Sequence, residues 1–598
     1  MPTTNRLGLL LPDLSLTVIR FPIPVAVSVM AAVICNLQIA EIITLSSIYN
    51  PPYAGIWLKT ESLYGALGAA FLASGAAHLF AETRQVNWIT GVVLALVAGI
   101  VATMPFWFVT ALEFQVLTMF WLPGLVLLVM VAGYLRPGSD DNAIWIFNAR
   151  LALAIVLASV VGLIFFLGLV AIVESVEYLF SIRLGSDSAE HILCTATMLV
   201  GPIFGLSMVS RDLSEPFEPR AHSGLLISGS SLLLNYLLIP IALVYVAILY
   251  LYAGRILLNW ELPRGQIGFM VLLFAIGGTG IWLIAKPWQR DGSVLIRTFQ
   301  KSWFWLLIVP LGLLFVGLFR RVSEYGVTPE RYGLAVVGLW AIVLVVWCAA
   351  RSSKIGPRLI IGLLSVFLLL SSFGPWGANS VSVRSQYARL IVLLQEAGLL
   401  RDGGVGDVGQ LSSRQSEDGR SIVNLLAEAG HLELLAPLFA GRADDPFEKD
   451  GMQADAQDII RQLNMDSPSS DRSEYVYYSG WTETLEFAVP EGAVFYGGHR
   501  FGESLTSGSN TDSSGLTIAV SGSKVIISRG DDIWQVAVED MFERARAADA
   551  APAESGPLVF NLRSERGNVQ LIVFEFRGRI TDAWYEIEMA DAIVLWSE

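Results

Sequence analysis

Residues 150–172 read RLALAIVLASVVGLIFFLGLVAI, and after Arg150 no charged side chain interrupts the run. At ~1.5 Å of rise per helical residue, a segment of this length crosses the ~30 Å hydrocarbon core of a bilayer. Comparable apolar runs, bounded by charged or turn residues, recur at 21–41, 62–81, 87–104, 117–135, 192–210, 230–253, 267–285, 303–319, 332–350 and 358–374. The sequence therefore predicts about 11 membrane-spanning helices. Composition agrees: 54% of the 598 residues are apolar, 15% are charged, and the mean hydropathy is +0.58. A soluble domain carries about a quarter charged residues, so an ordinary cytosolic enzyme is excluded.

Charge divides the chain near residue 380, with a net of +3 before that point and −17 after it. The period of the apolar residues changes there too. Residues 382–400, with Leu390, Leu393, Leu394, Leu399 and Leu400, and residues 419–440 read as amphipathic helices, with a short helix at 453–464. Asp466–Ser473 is polar, contains Pro468, and reads as a linker. Alternating runs at 484–489, 515–520, 524–528, 558–563, 569–576 and 583–596 predict antiparallel strands, with a hairpin turn at Val520–Lys524 and a helix at 535–547. The expected fold is a membrane all-α polytopic bundle over 1–380, followed by a soluble α+β C-terminal domain built from a helical segment (381–465) and a β-rich domain (466–598). An acidic domain repels phosphate backbones, so nucleic acid is not an expected partner.

Orientation is read from Lys and Arg in the short connections. The N-terminus and even-numbered loops hold 14 of these residues and the odd-numbered loops 7. That bias predicts a cytoplasmic N-terminus. An odd number of spans then puts the acidic domain on the outer side, the periplasm of a Gram-negative cell, with the bundle in the inner membrane. The first span is too long for a signal-peptide core and reads as a retained anchor. Small residues at helical spacing in the second span (Gly65, Gly68, Ala69, Ser74, Gly75, Ala76, Ala77) suit close helix packing in lipid. Pro202, Pro240 and Pro310 should each kink or break a span. Cys35, Cys194 and Cys348 all fall inside apolar blocks, and their spacing predicts neither a disulfide framework nor a CxxC site.

Five short patterns carry a family resemblance: Glu261-Leu-Pro-Arg-Gly-Gln266, Tyr325-Gly-Val-Thr-Pro-Glu-Arg-Tyr332, Phe373-Gly-Pro375, Ser382-Val-Arg-Ser-Gln386 and Glu396-Ala-Gly-Leu-Leu400. With these the chain resembles the bacterial multi-pass membrane family catalogued as domain of unknown function, number four-one-five-three. The resemblance is strongest over about 230–400. It implies an inner-membrane location and a soluble C-terminal extension, and it brings no catalytic residues with it.

The most distinctive local pattern is Tyr325–Tyr332. Thr328 suits a helix N-cap, Pro329 the first helical position, and Glu330 the positive helix end, so structure alone accounts for much of it. Arg331 between Tyr325 and Tyr332 is left over. Arg264, Glu324, Tyr325, Glu330, Arg331 and Tyr332 are therefore the candidate binding residues, on loops expected to share the outer side with the acidic domain and to dock it electrostatically. Four ionisable groups lie in or beside spans: Glu113, His78, and the pair Glu174 and Glu177, three residues apart on one helical face. Intramembrane ionisable groups are functional candidates, although a solvated helix end also explains Glu174 and Glu177. Ser521-Gly-Ser-Lys524 has serine–lysine spacing but sits on an expected hairpin rather than a helix. Gly497-Gly-His-Arg500 reads as a lone loop histidine. The five histidines, 78, 191, 222, 431 and 499, lack metal-ligand spacing, and neither a Walker A loop nor a GxSxG elbow is present. No residue is assigned to catalysis, a metal or a cofactor.

Three function classes remain. A binding or scaffolding protein that presents the acidic domain to an envelope protein partner ranks first. A transporter or channel for a small or neutral solute through the bundle ranks second, and an enzyme acting on lipid-linked substrates third.

Overall fold

The computed structural model describes residues 14–43, 45, 59–107, 109–136, 141–180, 187–210, 225–259, 267–289, 292–350, 355–401, 404–406, 411–440, 445–447, 455–465, 474–479, 494–501, 510–511, 516–521, 524–529, 532–549, 557–564, 567–580 and 585–597. The chain divides into two compact units, one of Met1–Gln410 with Asp418–Leu463, the other of Leu411–Glu417 with Asn464–Glu598.

The first unit is helical: α1 (Leu14–Arg20), α2 (Pro22–Ile39), α3 (Thr60–Thr83), α4 (Trp88–Thr103), α5 (Ala111–Val116), α6 (Leu122–Ala132), α7 (Asp141–Phe180), α8 (Ser188–Thr195), α9 (Gly201–Ser207), α10 (Leu225–Leu233), α11 (Ile239–Asn259), α12 (Ile267–Ala285), α13 (Val294–Leu306), α14 (Ile308–Tyr325), α15 (Pro329–Ala350), α16 (Pro357–Ser371) and α17 (Ala378–Glu396). A small hairpin of β1 (Leu400–Arg401) and β2 (Gly404–Val405) follows, then α18 (Ser413–Glu428, whose residues up to Glu417 belong to the second unit), α19 (Ala436–Phe439) and α20 (Ala456–Gln462). Among the described residues, ten helical stretches are long and apolar enough to cross a membrane, and α16 is a shorter apolar helix. The ten correspond in order to the first ten expected spans, and the eleventh, expected at 358–374, is the shorter α16.

Prolines mark where the spans change their winding. Pro123, Pro202 and Pro240 each follow a wide turn, at Leu117–Trp121, Ala196–Val200 and Leu234–Leu238. There the N–H groups of Leu122, Gly201 and Ile239 reach five residues back, to the carbonyls of Leu117, Ala196 and Leu234. Proline lacks an N–H and displaces the carbonyl four residues earlier; the wider turn takes up the extra residue and keeps backbone groups paired where lipid offers no partners. Pro310 lies in the first turn of α14, where a missing N–H costs nothing.

One expectation is overturned. Cys35 of α2 and Cys194 of α8 are joined as a disulfide across 159 residues, with Cα atoms 6.4 Å apart, inside the usual range for a bridge. Which spans are neighbours is invisible to residue spacing, so two cysteines in separate apolar blocks gave no sign of pairing. Polar bonds beside the bridge join the same two helices: Asn36 donates to Thr195 Oγ1 (3.3 Å), and its Oδ1 lies 2.8 Å from His191 Nδ1.

The second unit holds two antiparallel sheets. One runs β3 (Glu474–Ser479), β10 (Gly567–Ile580), β11 (Tyr585–Ser597), β4 (Val494–Phe501), with β9 (Leu558–Ser564) on β10 beside β3. The other runs β5 (Asn510–Thr511), β6 (Leu516–Ser521), β7 (Lys524–Arg529), β8 (Asp532–Ala537). In β10, Val569, Leu571, Val573 and Phe576 enter the main core, whereas Ile572 and Phe574 pack on the other face. The break in alternation coincides with a register shift between Val573 and Glu575, as a bulge requires. Helix α21 (Val538–Asp549) buries Val538, Met541, Phe542 and Ala545 in the same core, the spacing of one helical face. Ser521 pairs with Lys524 across the expected hairpin. Strands β3, β4, β5 and β8 were not anticipated; His499 lies in β4, opposite Ala592, rather than in a loop. The expected strand at 484–489 lies outside the described residues.

Candidate functional site

The Tyr325–Tyr332 turn joins α14 to α15 at one end of the bundle. Gly326 has φ +70°, and a Cβ there would meet Gln386 Nε2 at 2.9 Å and Ser385 Oγ at 3.2 Å, so both conformation and contact demand glycine. Arg331 turns back on its own loop, Nη1 donating to the carbonyls of Tyr325 (3.0 Å) and Gly326 (2.7 Å) with the guanidinium 5.5 Å from the Tyr325 ring centroid.

Helix α17 completes the arrangement from outside. Gln386, 3% exposed, donates through Nε2 to the carbonyls of Tyr325 (3.0 Å) and Val327 (3.1 Å). Ser385 Oγ accepts from Val327 N–H at 2.9 Å. Arg389 lies 5.7 Å from the Tyr325 ring centroid, donates to its carbonyl at 3.4 Å, and pairs with Asp418 at 2.9 Å. Three side chains thus converge on one carbonyl.

The remaining candidates are placed as follows. Tyr332 OH donates to the Trp376 carbonyl (2.7 Å), and Glu330 Oε1 accepts from Gln115 Nε2 (2.9 Å). Glu324 makes an exposed pair with Arg320 one turn away (3.2 Å), a contact worth little. Arg264 lies outside the described residues. Glu113 sits in the first turn of α5, in a capping box with Thr110, and its Oε1 accepts from Asn379 of α17 at 3.3 Å. Glu174 is exposed and Glu177 half-buried in the last turns of α7. By helical rise Glu174 lies ~36 Å along the axis from Arg150, more than the thickness of the hydrocarbon core. His78 is buried, edge-on to Phe21 at 5.9 Å between ring centroids, and its Nε2 has no hydrogen-bond partner among the described residues.

The structure therefore brings together Tyr325, Glu330, Arg331, Tyr332 and Glu113, candidates that the sequence had scattered over two lists. It adds Ser385, Gln386, Arg389 and Asn379. A usable signal for these was present: polar residues interrupt the apolar face of α17 at Ser382–Gln386. What the cluster does physically is lock a membrane-end turn to the helix that leaves the bundle.

At the other end of the same bundle, basic connections meet. Arg20 pairs with Glu82 (2.7 Å) and donates to the carbonyls of Val209 and Ser210 (both 2.8 Å), and Arg150 donates to Ser210 Oγ at 3.1 Å. Arg136 reaches the Thr83 carbonyl (3.5 Å), Arg358 the Arg136 carbonyl (3.1 Å), and Lys286 the Ile355 carbonyl (3.2 Å). Helix α3 spans the distance between the two ends, since Lys59 at its start reaches the Val109 carbonyl (3.4 Å), beside the α5 cap that α17 grips.

Fold and site together define a multi-pass helical membrane protein with a locked turn at one end and a C-terminal extension of two small sheets. The chain belongs to the family described as a domain of unknown function (DUF4153), whose model matches residues 42–394. That match includes both sides of the lock, ending inside α17. The chain is also similar to an uncharacterized protein of Pasteurella multocida (strain Pm70), 27% identical over 322 residues, 51% of this chain and 51% of the relative. It thus spans about half the length of the curated relative it matches. No solved structure matches.

Proposed function

We propose that the protein is an inner-membrane anchor of a bacterial cell, with its N-terminus in the cytoplasm and its acidic C-terminal unit in the periplasm, where it binds an envelope protein partner. The observation that carries this reading is the locked turn. Tyr325, Gln386, Arg389 and the Glu113–Asn379 contact fix the outgoing helix α17 to the end of the bundle opposite the converging Arg20, Arg136, Arg150, Lys286 and Arg358. By the preference of Lys and Arg for cytoplasmic connections, that basic end is the inner one, and α17 leaves from the outer one. Such a rigid exit suits a scaffold better than a mobile gate. The −17 charge beyond residue 380 supplies the chemistry of recognition, namely attraction of a basic partner surface.

Two measurements test this. An alkaline-phosphatase fusion at Glu598 should be active and a fluorescent-protein fusion dark; the reverse pattern overturns the orientation. A photo-crosslinking residue in place of exposed Ile533 of β8, in the full chain in cells, should give a discrete protein adduct. If neither that position nor exposed Glu539 or Asp540 of α21 gives one, the scaffold reading fails.

A further inference from the structure

A cavity of about 580 Å³ lies within the first unit, walled by α3, α6, α7, α8 and α9 and the wide turn that precedes α9. Its size falls in the ~300–1,000 Å³ range of small-molecule sites. Its wall is hydrocarbon almost throughout, from Phe71 and Leu72 on α3 to Leu163 and Phe166 on α7. The two hydroxyls on it are already satisfied within their own helices: Ser159 donates to the Ile155 carbonyl (2.9 Å) and Thr197 to the Leu193 carbonyl (2.8 Å). A polar solute would find few hydrogen-bond partners there. The space itself is made by absent side chains. Gly75 is buried and lines the cavity, yet a Cβ built on it would meet nothing within 4 Å.

Along α7 the wall runs from Leu151 to Phe166, ~22 Å at the helical rise, longer than the ~15 Å that one leaflet contributes to the hydrocarbon core. Ile155, Leu163, Leu193 and Val126 on its rim are exposed, so the cavity opens sideways toward lipid. At one mouth the lining residues Phe21, Leu151 and Val209 stand next in sequence to Arg20, Arg150 and Ser210, which are bonded to one another and to Glu82. Arg84 and Arg136 lie at the same end, beside Thr83.

The geometry points to a binding site for an anionic phospholipid, one acyl chain in the cavity and the phosphate at the Arg20–Arg150 mouth. Lipid tails are as apolar as this wall, so moving a chain from bilayer to cavity gains packing but no hydrophobic energy. Discrimination then falls to the head group. One arginine near a negative head group gives roughly fivefold preference over a zwitterionic lipid. The site is independent of any role of the C-terminal unit.

The test is native mass spectrometry of the full-length protein in detergent, titrated separately with phosphatidylglycerol and phosphatidylcholine. One retained phosphatidylglycerol per chain, favoured roughly fivefold or more over phosphatidylcholine, is the expected result. Gly75→Leu, which pushes a side chain into the void, should cut retention about tenfold, and Arg150→Gln should cut the preference between the two lipids about fivefold. Equal retention of both lipids by the unaltered protein overturns the head-group site without recourse to any variant. Unchanged retention in a Gly75→Leu protein of normal melting temperature, or a dimer in place of a lipid adduct, overturns the cavity as its seat.

Discussion

Replacing Gln386 with alanine separates the lock from the rest of the bundle. The side chain is 3% exposed and makes two amide-to-carbonyl bonds, to Tyr325 and Val327, at 3.0 and 3.1 Å. Each such bond contributes about 1 kcal/mol net. The Tyr325 carbonyl keeps Arg331 and Arg389 as donors, so the loss is close to the sum of two bonds, about 2 kcal/mol, with no added penalty for stranding that oxygen. A local opening made easier by that amount exchanges its amides roughly 30-fold faster. The reporters are the Val327 N–H, held by Ser385 Oγ at 2.9 Å, and the Gly326 N–H, held by the Val322 carbonyl at 2.9 Å. Hydrogen–deuterium exchange of the peptide covering 322–332, followed by mass spectrometry, reads them directly, and α21 in the second unit serves as the internal control. If exchange over the turn rises less than about threefold, the turn is held by Arg331 and its own backbone, and α17 is not its lock.

Three further outcomes are expected. A Cβ on Gly278 would fall inside the ring of fully buried Trp303, whereas one on Gly280 meets nothing within 4 Å; Gly278→Ala should cost about 1–3 kcal/mol and lower the melting temperature in detergent, and Gly280→Ala should not. Under denaturing but non-reducing conditions a maleimide should label Cys348 alone, and after reduction all three cysteines, because Cys35 and Cys194 are bridged; three labels before reduction would refute the bridge. Burial raises the Tyr478 phenol above its ordinary value of 10.0. Folding therefore favours the protonated form, so this contribution is complete below pH 10 and is lost as pH rises through the raised value. The second unit should melt at lower temperature above about pH 10, and Tyr478→Phe should remove that dependence.

Some site residues were legible and some were not, for reasons that differ in kind. Thr328, Pro329 and Glu330 announce a helix start because capping is local chemistry, decided within four residues. Glu113 read as a stray intramembrane carboxylate, since neither its cap on Thr110 nor its contact with Asn379, 266 positions away, follows from its apolar surroundings. Arg331 stood out because its charge is visible in the sequence, whereas the carbonyls of Tyr325 and Gly326 to which it donates are not. His499 read as a loop residue because the glycines before it mask a strand that is paired by β11 rather than by its own propensity.

From the linear order of residues alone came the apolar spans, their separation from the acidic C-terminal region, and two places, Pro202 and Pro240, where proline disturbs a helix. Each follows from transfer of apolar segments into lipid and from local backbone geometry, which depend on near neighbours along the chain. Tertiary structure alone decided that Cys35 meets Cys194, that Gln386 meets Tyr325, and that a void remains beside Gly75. Those contacts depend on which helices touch, and a bundle whose spans are all greasy leaves that choice to the shapes of side chains packed against one another, a property no composition records.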